Sequence, residues 1–213
     1  MRGFLVTFEG GEGGGKSTQV KRLAKFLEEQ KIDYISTKEP GGTDVGNQVR
    51  EILLHSKDKI SDKTEFLLFS ASRAQLVQDV IKPALEAGKV VLMDRFFDSS
   101  FAYQGYAGNL NLDDIEEVTD FATDGLQPDL TVLLDISYDD GMERKAKNSK
   151  LKDLDRIESK SAEYHNRLRK GFLKLADKDR KRFLVVFANK TEDEIFEEVK
   201  AEFMDRYNKK CGE

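Results

Sequence analysis

One cysteine, Cys211, three prolines, two histidines and no tryptophan stand in 213 residues. A lone cysteine cannot build an internal disulfide framework and fits a reducing compartment, so a cytoplasmic location is expected. His55 and His165 lie far apart with no cysteine cluster beside them, so no zinc site is expected. No apolar run reaches the roughly 18 residues a membrane span needs. The N-terminal run Gly3 to Phe8 meets Glu9 too early for a secretory leader. The net charge of −5 lacks the basic excess of a nucleic-acid coat. Neither a membrane nor a nucleic acid is therefore expected as a partner. Repeats, low-complexity tracts and long linkers are also missing, so residues 1–213 read as a single domain.

Charge is unevenly distributed. Residues 141–182 hold fifteen Lys and Arg against seven Asp and Glu. Such a stretch is either a solvated helix face or a cationic cover over an anionic substrate.

Apolar patterning predicts alternating strands and helices. Strands are expected at 3–8, 34–37, 89–93, 130–136 and 183–187. Helices are expected at 17–30, 45–54, 62–87 with a bend before Pro83, 97–106, 112–124, 139–147, 156–177 and 192–207. A polar joint is expected at 148–155. The strands are apolar on both faces, as parallel strands covered by helices must be. The fold class is α/β, a five-stranded parallel sheet flanked by helices on both faces. Ligands of such sheets bind at the carboxyl ends of the strands. That rule gathers the 10–17 loop, the 39–42 loop and Asp94-Arg95 on one rim.

Gly10-Gly11-Glu12-Gly13-Gly14-Gly15-Lys16-Ser17 fits the phosphate-loop pattern G-x-x-x-x-G-K-[ST], between a predicted strand and a predicted helix. Glycines let backbone N–H groups converge on a phosphate, and the helix N-terminus adds positive potential. Lys16 is expected to reach the β and γ phosphates. The Ser17 hydroxyl suits Mg²⁺. The pattern implies a nucleoside triphosphate with Mg²⁺ but does not fix the reaction. Asn189-Lys190-Thr191-Glu192 resembles a guanine-reading N-K-x-D but ends in Glu, and it reads as a loop and helix cap.

Further segments accompany the loop. They are Phe8-Glu9-Gly10, Thr37-Lys38-Glu39-Pro40-Gly41-Gly42-Thr43, Phe69-Ser70-Ala71-Ser72-Arg73, and Asp94-Arg95-Phe96. Ser99-Ser100-Phe101-Ala102-Tyr103-Gln104-Gly105, Gly125-Leu126-Gln127-Pro128-Asp129-Leu130-Thr131, and Leu154-Asp155-Arg156-Ile157-Glu158 follow. In this order the chain resembles bacterial thymidylate kinases, of the P-loop nucleoside monophosphate kinase family, from residue 4 to about 200.

The resemblance implies a P-loop NTPase fold with a small helical lid at about 143–158, a homodimer, and phosphoryl transfer from ATP-Mg to dTMP in dTTP biosynthesis. It places ATP on Gly10 to Thr18 and Arg144. It places the dTMP phosphate at Arg50 and Arg95, the thymine ring on Phe69, and a thymine carbonyl at Arg73. Gln104 would meet the base edge, Tyr103 would crowd a 2′-hydroxyl, and Glu39, Pro40, Ser99 and Ser100 would complete the pocket. Ser17 and Asp94 would hold Mg²⁺, partly through water, with Glu12 nearby. Lys16, Arg95, Glu12 and Asp94 form the expected catalytic set with one lid cation. One subgroup carries an arginine inside the phosphate loop; here that position is Gly13, so the lid must supply the cation. Arg144, Lys147, Lys150, Lys152 and Arg156 are the candidates, and Arg156 is the expected one. This lid is rich in lysine where arginine is usual; Lys38 replaces an arginine, and Phe96 a tyrosine or histidine. A kinase for another nucleotide or nucleoside, and a nucleotide-dependent switch on the same fold, are the alternatives.

Overall fold

The computed structural model describes residues 3–147 and 155–212. Its centre is a parallel sheet of β1 (Phe4–Glu9), β2 (Tyr34–Lys38), β3 (Val90–Asp94), β4 (Leu130–Asp135) and β5 (Phe183–Phe187), in the order β2-β3-β1-β4-β5. β1 is buried along its whole length between β3 and β4. Side chains alternate across a strand. Phe4, Val6 and Phe8 therefore pack into one core with Val20, Leu23 and Leu27 of α1 (Lys16–Glu29) and Ile195, Val199 and Phe203 of α9 (Glu192–Cys211). Leu5 enters the opposite core. Thr7, bonded to Thr131 at 2.9 Å, and Glu9 follow Leu5 on that face. The alternation thus turns the last carboxylate of β1 toward the second layer of helices, under the ligand rim.

That layer comprises α2 (Asp44–His55), α3 (Asp62–Leu76), α4 (Lys82–Glu86), α5 (Phe97–Ser100), α6 (Leu112–Thr123) and α8 (Ala162–Lys178). The expected bend before Pro83 is a π-helical turn, Val77–Ile81, in which the Lys82 N–H donates to the Val77 carbonyl five residues back. Pro83 has no N–H to continue the ordinary pattern, and the widened turn lies directly before it. A second π-helical segment, Phe101–Ala107, continues α5 and carries Tyr103 and Gln104.

Two boundaries differ from expectation in ways that matter for the site. β1 extends to Glu9, which pairs in register with Leu133. The helix expected from 156 begins at Ala162, where Ser161 caps it by accepting from the Tyr164 N–H. Before that cap, the Asp155 side chain accepts from the N–H groups of Ile157 and Glu158 at 2.8 and 2.9 Å. Asp155 thus caps a single turn, closed by the Ser159 N–H on the Asp155 carbonyl at 3.0 Å, and the chain begins again at the Ser161 cap. Of the polar joint and expected lid, residues 148–154 lie outside the described residues, and with them Lys150 and Lys152.

The helix entering the lid region, α7 (Tyr138–Lys147), rests directly on the phosphate loop. A Cβ on Gly13 would stand 2.3 Å from the Gly141 carbonyl oxygen, and one on Gly141 would stand 2.3 Å from that of Glu12. Gly13 also holds φ at +74°, where a side chain is strained. The two glycines let two backbones touch. Gly141→Ala is expected to lower the unfolding free energy by about 1–3 kcal/mol through overpacking, read as a shift in the urea midpoint. An unchanged midpoint would show that α7 does not bear on the loop.

Candidate active site

Because all five strands are parallel, their carboxyl ends share one rim, and a cavity of about 750 Å³ opens there. That volume is typical of small-molecule sites. The phosphate loop lines it with Glu12 to Thr18. Gly10 and Gly11, expected to cradle the ligand, do not line it; their carbonyls accept from the Lys16 ammonium at 3.1 and 2.8 Å. Ser17 donates to Asp94 at 2.5 Å, joining the start of α1 to the end of β3.

Arg95 follows Asp94 with φ at +72°, a conformation few side-chain-bearing residues adopt. Glu9 holds that turn in place. One of its oxygens accepts from the Phe96 N–H at 2.7 Å, the other from the Ser99 hydroxyl at 2.6 Å. The Arg95 guanidinium then points back across the rim, donating to the Gly10 carbonyl at 3.1 Å and to Glu12, with its carbon 5.1 Å from the centre of the Tyr103 ring. Tyr103 also donates to Glu12, at 3.2 Å. Glu12 is thus the hub of the loop. Burial would raise its pKa, but Arg95, Lys16 and Lys145 outweigh burial and hold it well below the usual carboxylate range. Burial and the neighbouring Arg95 push Lys16 down, while Glu12, Asp94 and Glu9 offset part of that fall.

The opposite wall is formed by Glu39, Pro40, Arg50, Phe69, Arg73, Ser99, Ser100, Tyr103 and Gln104, all expected there and all lining the cavity. Arg50 donates to the Pro40 carbonyl at 2.9 Å. Phe69 is half-buried, with its ring on the cavity instead of sealed in the core. Arg73 is 1% exposed, bonded to Glu39 and to the Ser100 hydroxyl at 2.8 and 3.0 Å. One atom of each member of this pair, Arg73 Nη1 and Glu39 Oε1, is buried with no partner among the described residues. Buried polar atoms left unpaired are costly, and this pair stands on the cavity wall.

Arg156 is not brought to the phosphate loop. Its guanidinium donates to the Leu53 carbonyl at 3.0 Å and to Glu65, and it does not line the cavity. Among the described residues of this region, the cation in an ion pair with the loop is Lys145, while Arg144 and Lys147 also line the cavity. Lys145 pairs with Glu158 and lies 3.6 Å from Glu12. Sequence reasoning missed it because helix α7 carries Arg144, Lys145 and Lys147 in close succession, and their phase depends on the Gly13–Gly141 contact. Arg144 donates to the Ala188 carbonyl and lines the cavity. Lys190, Thr191 and Glu192 are expected as a loop and cap. Thr191 does cap α9 in a box with Glu194, yet all three also line the cavity. Among the described residues no group of three or more His, Cys, Asp or Glu could hold a metal, and no helix is long and apolar enough to cross a membrane.

Glu9 carries the clearest pH signature. Burial first, and Asp98 second, push it up to about 8 from an ordinary value of 4.5, with Arg95, Ser99 and Phe96 pulling back. The folded chain therefore keeps a proton that the unfolded chain releases. The stabilisation tied to Glu9 is full below 4.5 and is lost as pH rises through about 8. His165, lowered by burial from 6.5, acts in the opposite sense, so the comparison needs a variant. In Glu9→Gln, Ser99 can turn its hydroxyl to accept from the new amide. Urea unfolding is expected to show wild type losing stability relative to Glu9→Gln between about pH 5 and pH 9. Parallel curves for the two proteins would contradict the raised value.

The chain as a whole matches known proteins. The family model described as thymidylate kinase covers residues 8–199. A thymidylate kinase of Clostridium novyi (strain NT) is 42% identical over 200 residues, covering 93% of this chain and 97% of that protein. One of Halothermothrix orenii is 46% identical over 199 residues, covering 93% and 95%. The crystal structure of thymidylate kinase from Ehrlichia chaffeensis superimposes with a TM-score of 0.76 at 30% identity, covering 95% of this chain and 99% of that one. The glycine loop, the arginine-bearing rim and the matched span agree, and the chain belongs to the thymidylate kinase family.

Proposed function

We propose that this chain transfers the γ-phosphoryl group of ATP to dTMP, giving dTDP and ADP. The observation that carries this reading is a single cavity with two unlike walls. One is a glycine loop with Lys16 and Arg95; the other is the Phe69–Arg73–Gln104 face with its unpaired Arg73 Nη1. A phosphate oxygen of dTMP attacks the γ-phosphorus, and the bond to the β-phosphate breaks with its electron pair leaving on ADP. The acceptor is already an anion, so no strong general base is required, and the work is positioning and charge neutralisation.

In this reading Lys16 leaves the Gly10 and Gly11 carbonyls for the donor phosphates. Arg95 and Arg50 hold the acceptor phosphate, which arginine's planar fork suits. Phe69 stacks on thymine, Arg73 donates to a ring carbonyl, and Tyr103 crowds the sugar. Arg144, Lys190 and Thr191 border the donor end. Ser17 and Asp94 are oxygen donors 2.5 Å apart. They fit Mg²⁺, which is bound by one or two carboxylates together with phosphate oxygens and water. The ion, when bound, neutralises charge on the β and γ phosphates. Lys145, on the helix docked to the loop, takes the role expected of Arg156. A single domain with a lid at 143–158, a cytoplasmic location and a homodimer belong to the same reading. Val45, Ile52 and Leu67, each about half exposed on α2 and α3, are the apolar surface available to the dimer.

A coupled ADP-release assay with dTMP, dUMP, AMP and thymidine as acceptors tests the activity; no turnover of dTMP would end it. Lys16→Ala is expected to lower kcat by roughly 10²-fold or more. Lys145→Ala is expected to lower kcat more than Arg156→Ala does. The reverse order would return the lid role to Arg156.

A further inference from the structure

Glu65, on the first turn of α3, is 1% exposed and belongs to neither the phosphate loop nor the cavity wall. A carboxylate buried so deeply must be fully bonded. Its Oε1 accepts from the Gln104 amide nitrogen at 2.9 Å and lies 3.6 Å from the Lys160 ammonium; its Oε2 accepts from Arg156. Both cations are pure donors, so the carboxylate between them can only accept.

An amide has one donating and one accepting end. One N–H of Gln104 given to Glu65 fixes which way its amide is turned, with the carbonyl oxygen at the other end, and that oxygen takes no hydrogen bond from the described residues, while Gln104 itself lines the cavity. On the same wall, Arg73 Nη1 is a donor without a partner. An acceptor and a donor on one wall match a pyrimidine ring bearing N–H next to C=O, as in thymine and uracil. Cytosine presents the reverse, a bare ring nitrogen beside an amino group, and would set acceptor against acceptor and donor against donor.

Resting on the kinase reading above, we propose that Glu65 is a positioning residue: it fixes the Gln104 amide and thereby selects imide pyrimidines over aminopyrimidines. In Glu65→Gln the new carbonyl can serve Arg156 while the new NH₂ faces Gln104, which turns its own amide over. The kcat/KM ratio of dTMP to dCMP is expected to fall about 10- to 100-fold, mostly through KM for dTMP, with KM for ATP unchanged. Gln104→Leu is expected to lower the ratio too. If Glu65 acts through Gln104, adding Glu65→Gln to Gln104→Leu changes the ratio no further. A ratio unmoved in Glu65→Gln, or effects that multiply in the double variant, would overturn the proposal. Should thermal unfolding show that Glu65→Gln does not fold, Glu65→Asp keeps the charge and withdraws it by one methylene. The ratio is expected to fall there as well, and an unmoved ratio counts equally against the proposal. Wild-type protein inactive on dTMP would instead defeat the kinase reading; activity on dTMP with the ratio fixed in every variant defeats only this inference.

Discussion

Three cations, Lys16, Arg95 and Lys145, converge on one carboxylate, Glu12. Left alone they would repel one another; at Lys16, burial first and Arg95 second lower the pKa. The arrangement persists because Glu12 sits inside the glycine loop, within reach of all three. Everything on the rim is arranged around that balance. Nucleotide phosphates brought to the loop would carry more negative charge than Glu12 and would draw the same cations.

Rigidity behind the rim comes from buried carboxyl groups, each held by two or more bonds. Glu9 keeps the left-handed turn at Arg95 from relaxing. Asp98, one residue beyond α5's start, is gripped by two nitrogens of Arg182 at 2.5 and 2.9 Å, and its charge is part of what raises Glu9. Glu65 performs a parallel service for Gln104. Asp98 with Arg182, and Glu65 with Arg156 and Lys160, are expensive to bury, and breaking one partner away costs several kcal/mol. Their common effect is to hold polar atoms at set orientations around a cavity before any ligand arrives, which is what phosphoryl transfer asks of a protein.

The glycine loop was legible because its chemistry is local: six consecutive residues and the helix they open suffice. Asp94-Arg95 was legible for a related reason, since the end of a parallel strand must fall on the rim. Arg156 shows where such reading stops. A cation in a basic stretch can face a phosphate or a buried carboxylate, and Arg156 meets Glu65, 91 positions away. Likewise the helix expected from 156 closes only one turn, with the Ser159 N–H on the Asp155 carbonyl at 3.0 Å, before a fresh cap at Ser161 starts α8.

Alternating apolar strands and helices, with glycines at one strand end, determined by themselves a parallel sheet and a phosphate-binding rim. Period and backbone freedom are properties of neighbouring residues, and they survive without knowledge of the rest. Only the tertiary structure decided which lysine of α7 reaches the loop and which end of Gln104 faces the cavity. Both depend on contacts between distant segments, Gly13 on Gly141 and Glu65 on Gln104, where a rotation of one helix or one amide exchanges partners without altering any local pattern.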